Sequence, residues 1–200
     1  MNLVQRVYSI LKKDLLLEWR QKYSLYGLLL YLVSTVFTIN MLTESPEPGV
    51  WNTLFWLILL FICVNAVAKS FLQEPKQRNL YYYTIHHPRD IIISKLVYNL
   101  FLMLVMSLMA FFLFVVLLGN PCLHINQFLL VVITGGMSLS LLFTMLAAIA
   151  SKAGGNSALI AILGFPLVVP QLIVLADLSK PLFENMLVTG WWSFFMVLMA

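Results

Sequence analysis

The sequence predicts an all-α integral membrane protein of six spans in a single domain covering residues 1–200. Three observations carry this. Of the 200 residues, 62% are hydrophobic and 10% charged, where a soluble domain carries about 25% charged residues. The mean hydropathy is +0.94. The apolar residues come in runs of roughly 20 or more, the length a helix needs to cross the hydrocarbon core. An amphipathic helix is expected before the first span, a short helix after the second, and an outward re-entrant segment before the last.

Residues 1–22 read as the amphipathic helix. Val4, Val7, Tyr8, Leu11 and Leu15 follow helical spacing and share one face. Arg6, Lys12, Lys13 and Arg20 fall opposite, which suits a helix lying in the plane of anionic headgroups. Asp14 and Glu18 break the pattern, one turn apart on the apolar side. Glu18 can pair with Lys22 at i+4, worth a few tenths of a kcal/mol. Either both carboxylates reach water, or Asp14, Glu18 and Arg20 contact a partner.

Span 1 is expected at about 23–42, span 2 at about 50–71. Between them lies the acidic, proline-rich TESPEPG. Trp51 and Trp56 near the start of span 2 suit the interfacial aromatic belt. A polar island, QEPKQRNLYYYTIHHPRD, follows at 73–90. In it Asn79 is a good helix N-cap, because its side chain can accept a free N–H of the first turn. Pro88 stops that helix about two turns later. Tyr81, Tyr82 and Tyr83 suit either a headgroup zone or a protein partner.

Asp90 can cap span 3, about 91–118, with Lys95 snorkelling back to the headgroups. No charge occurs between Lys95 and Lys152. Gly119-Asn120-Pro121 splits this stretch, and span 4 follows at about 127–150. It carries Thr134, Gly135, Gly136, Ser138 and Ser140, small residues that let helices approach closely. After the tight SKAGGN loop with Gly154 and Gly155, span 5 runs over about 157–176. Pro166 and Pro170 each remove a helix hydrogen bond, predicting a bent span with loosened backbone. The segment DLSKPLFEN reads as a return loop or re-entrant helix. Residues 186–200 give only about 15 residues, short for a span, so the sequence is expected to stop inside the sixth.

All Lys and Arg except Lys180 lie on one side of this alternating layout. The positive-inside rule puts that side, with the N-terminus and the island, in the cytoplasm. The net charge of +4 therefore does not point to nucleic acid. The two cysteines form neither a disulfide framework nor a metal spacing. No Asp or Glu sits at mid-depth in a span, which argues against proton-coupled transport. No glycine-rich phosphate loop is present. His86 and His87 are adjacent, so on a helix they point about 100° apart, a poor arrangement for one metal. Cys122 and His124 read as ordinary loop. No directly bound cofactor is expected.

The layout resembles an ABC-2-type permease, and within it the family of haem exporter protein B, CcmB. Three stretches carry the resemblance: KKDLLLEWRQK, NLYYYTIHHPRDIIISK and KAGGNSALIAILGFPLVVPQLIVL. The chain departs from the family pattern at Leu80-Tyr81, where the family has Leu-Glu. The resemblance implies a multi-pass subunit of the bacterial inner membrane with no ATPase of its own. It would dimerise, or assemble with a cytoplasmic ATPase subunit and a haem-handling membrane protein, with ATP bound on the partner. Haem would be handled by the complex and reach a periplasmic haem chaperone during c-type cytochrome biogenesis. Asn79, Leu80, Tyr81, Tyr82, Tyr83, Ile85 and His86 would form the coupling helix that contacts the ATPase. Two other readings share much of the layout: an ABC-2 permease for a glycan, lipid or drug, and a structural membrane subunit with no substrate pathway. A membrane enzyme lacks an acid/base constellation here.

Overall fold

In the computed structural model, described for residues 9–13, 16, 23–43, 46–72, 88–152 and 157–183, the chain is helical with no strand among those residues. Five long helices carry the fold. They are α1 (Tyr23–Leu42), α2 (Pro48–Leu72), α3 (Pro88–Leu118), α4 (Ile125–Lys152) and α5 (Ser157–Ser179), followed by a 3-10 turn at Lys180–Leu182. Each holds a stretch long and apolar enough to cross a membrane. Asp14, Glu18, Arg20, the island at 73–87, Gly154, Gly155 and the expected sixth span lie outside the described residues.

The helix ends follow local chemistry. Pro48 and Pro88 open α2 and α3, where a missing N–H breaks no intrahelical bond. Asp90 therefore sits inside the first turn of α3 rather than capping it. There its charge still complements the positive end of the helix dipole. After Leu118, Gly119 takes φ +80°, a left-handed conformation that only glycine adopts without strain. The Asn120 side chain then accepts the Cys122 N–H at 3.1 Å, an Asx turn. Asp177–Ser179 prolongs α5 instead of opening a loop.

The core sits around α4, which packs against α3, α5 and α2, while α2 also touches α1, α3 and α5. Helix α1 is peripheral. Among its described side chains it buries only Leu28, Leu32 and Val36, a stripe one turn apart, and exposes Tyr26, Leu30, Phe37 and Met41. The small residues of α4 do what small residues are for. Gly135 lies under the Trp56 ring and Leu175, and Gly136 faces Ser107 on α3.

Two expectations fail. Trp51 and Trp56 are core residues, 0% and 2% exposed. Trp51 lies parallel to Phe55 with centroids 5.7 Å apart, and meets Phe114 edge-on at 5.2 Å. Phe128 and Phe183 complete the cluster. Lys95 does not snorkel; it is buried in protein, like Asp90 and Ser94 on the same first turns of α3.

Candidate functional site

Five apolar helices side by side need no polar side chain to be soluble in lipid. A buried amide or hydroxyl therefore marks a place where geometry is specified, because it must find a partner inside the protein. Among the described residues, such groups join neighbouring helices at three levels.

At the level of the α5 C-terminus, the Ser179 hydroxyl accepts from Trp56 Nε1 at 3.0 Å. Its own proton is shared between Asn52 Oδ1 at 2.8 Å and the Leu175 carbonyl at 2.7 Å. Asn52 Nδ2 donates to the Ala176 carbonyl at 3.0 Å. These bonds clamp the end of α5 to the start of α2. Beside them, the Leu123 N–H donates to the Leu182 carbonyl at 3.1 Å, tying the 119–124 loop to the 3-10 turn.

Midway, the Gln171 side-chain amide on α5 donates to the Ser138 hydroxyl on α4. Gln171 is buried, and its Oε1 has no hydrogen-bond partner. Nearer the other end, Asn99 Nδ2 on α3 donates to Thr144 Oγ1 on α4 at 3.1 Å, and Thr144 donates to the Ser140 carbonyl at 2.6 Å. Two turns up α3 and two turns back along α4, Ser107 meets Gly136. The two contacts fix one antiparallel register, with Gly136, Ser140 and Thr144 at i+4 spacing on α4 facing Asn99 and Ser107, two turns apart on α3.

Beyond Ser140, which the sequence marks only as a small packing residue, the structure buries Asn52, Asn99, Ser107, Thr144, Gln171 and Ser179 within the helices. Their signal was present as amides within apolar runs. Of the residues given a functional role from sequence, Pro166 and Pro170 are described. Both lie inside α5, which continues through them, and both are exposed, on the side away from Gln171. Asn79, Leu80, Tyr81, Tyr82, Tyr83, Ile85 and His86 fall outside the described residues. Among the described residues, no three His, Cys, Asp or Glu side chains stand together as a metal site would require.

The ends of the helices sort into two groups. The start of α2, the end of α3, the start of α4 and the end of α5 meet through Trp51, Phe114, Phe128 and Phe183. Leu72, Pro88, Lys152 and Ser157 are the opposite ends of the same four helices. The connections 73–87 and 153–156 therefore start and finish at that second end.

This architecture, five helices each long and apolar enough to cross a membrane, is that of a multi-pass membrane protein. The family model described as CcmB protein matches residues 5–200, and the chain belongs to that family. It is thus a permease-type membrane component of a haem exporter ABC system, a complex whose ATPase is a partner. No curated protein and no solved structure matches the chain.

Proposed function

We propose that this chain couples a cytoplasmic ATPase to the transfer of haem to, or its release from, a periplasmic chaperone. The island between α2 and α3 is the coupling helix, with Leu80 and the tyrosines Tyr81, Tyr82 and Tyr83 seated in the ATPase. Asp14, Glu18 and Arg20 add contacts from the entry helix, and the chain works as a homodimer or beside a haem-handling membrane subunit. A sixth span after a re-entrant turn completes the bundle. The observation that supports this reading is the shared end of the helices. The island and the SKAGGN loop both connect helix ends on the side flanked by Arg89 and Lys152, as a cytoplasmic face requires.

The test of coupling is Leu80→Asp. An anchor of this kind contributes on the order of 2 kcal/mol, roughly thirtyfold in affinity. With insertion verified, ATPase retained on washed membranes should fall accordingly, as should cytochrome c maturation. Unchanged retention, also with Tyr82→Asp added, sinks the coupling assignment.

The orientation has its own test, and Cys122 is a poor reporter for it. The thiol is buried, and burial pushes its pKa up to about 11, a backbone hydrogen bond at His124 offsetting only part of this. The thiolate is the reacting species, so Cys122 should label slowly at neutral pH and faster as pH rises toward that value. Leu123 is exposed. With Cys63→Ala and Cys122→Ala, Leu123→Cys should react with an impermeant thiol reagent on cells lacking the outer barrier. Labelling only after lysis would invert the layout.

A further inference from the structure

We infer that α5 is a hinged arm, its outward end fixed and its cytoplasmic end free to swing about Pro166 and Pro170. The fixed part is built from hydrogen bonds. Gln171 holds Ser138, the Ala176 carbonyl holds Asn52, and Ser179 holds Trp56 and Asn52. Leu182 and Phe183 are buried just beyond. Every one of these tethers lies on the C-terminal side of Pro170.

On the other side the chemistry is different. From Ala158 to Pro170 the sequence is ALIAILGFPLVVP, without one side chain able to make a hydrogen bond. The contacts of this half include Gly164 against Phe143 and Leu146, and buried Val168. Apolar contact is non-directional, and glycine presents a smooth surface for sliding. Between the halves, Pro166 and Pro170 supply no N–H, so the carbonyls of Ile162 and Pro166 lose their i+4 donors. The backbone is weakest where the tethers end. Both rings lie on the exposed stripe with Ile162, Phe165, Val169 and Ile173, so among the described residues none wedges the hinge.

The free end of the arm begins at Ser157, next to the SKAGGN loop. That a partner's movement is what drives it rests on the reading above; the hinge itself does not, and a distance measurement separates the two. In a Cys63→Ala, Cys122→Ala background, spin labels go on exposed sites in two pairs. Ile162 with Phe101 reports the arm against α3, and Ile173 with Val116 reports the clamped half. The full chain is reconstituted in lipid discs with its ATPase subunit. The arm pair should give a distance distribution at least twice as broad as the clamped pair. Pro166→Ala with Pro170→Ala should narrow the arm pair and leave the clamped pair as it was. An arm pair as narrow as the clamped pair, a breadth insensitive to the alanines, or a broad clamped pair each overturns the hinge. A hinge that persists while ATPase retention ignores Leu80→Asp would leave the arm standing and remove only its proposed driver.

Discussion

Gly135→Leu should destabilise the bundle by about 3 kcal/mol or more, at the top of the overpacking range. A Cβ at this position would stand 2.7 Å from Trp56 Cη2, 2.9 Å from Trp56 Cζ3 and 2.8 Å from Leu175 Cδ2. Trp56 cannot yield cheaply. Its ring is 2% exposed, it meets Phe55 edge-on, and its Nε1 is held by Ser179. Relief would have to come from α4 moving away from both α2 and α5. Gly135→Ala should already lower the apparent melting temperature in detergent–lipid micelles. Gly136→Ala should cost less, because the nearest atoms there, of Ser107, are at 3.4 Å. Equal effects at the two glycines would show that close packing on Trp56 is not what α4 is built around.

Trp51→Ala should cost about 2–3 kcal/mol. The usual transfer term is small here, since lipid is as apolar as the cluster. What remains is the cavity, and at ~24 cal/mol per Å³ a void on the order of 100 Å³ gives that figure. Trp51→Phe should be much milder. The Trp51 Nε1 has no hydrogen-bond partner, so its removal breaks no bond, and a phenyl ring keeps most of the packing. Trp56→Phe should be worse than Trp51→Phe, because it strips Ser179 of a donor in the core. Unfolding titrations of the three variants test the order. If Trp51→Phe costs more than Trp56→Phe, the indole at 51 has a role that packing does not explain.

The spans were legible because length and apolarity are set by the bilayer, and a bilayer leaves little freedom. The break at Gly119-Asn120-Pro121 was legible because positive φ and an Asx turn have local residue signatures. What escaped was which face looks inward. In water, burial follows hydrophobic periodicity; in lipid, Leu130 on the outside and Leu139 in the core sit in equally apolar surroundings. Trp51 and Trp56 therefore looked like headgroup anchors, although aromatic packing had drawn them into the core. The amides were a better guide where they have no partner on their own helix. Asn52, Asn99 and Gln171 point inward, whereas Asn65 is exposed and donates to the Phe61 carbonyl one turn back. Lys95 misled for a related reason: a long stem can bend toward water, yet here protein covers it.

The order in which the chain is made bears on the clamp between α2 and α5. Asn99 and Thr144 are 45 residues apart, joined by one tight turn, so α3 and α4 can zip together as soon as both have entered the bilayer. Trp56 and Ser179 are 123 residues apart, and Asn52 and Ser179 127. Throughout synthesis of α3, α4 and most of α5, the indole N–H and the Asn52 amide must wait among lipid tails without their final partners, a costly state for any polar group. Biogenesis thus has a window in which the second helix is the vulnerable one, and the cure arrives last. A defect at Ser179 would leave that window open, and would reveal itself far from its own position, as proteolysis or back-slippage of the segment around Asn52.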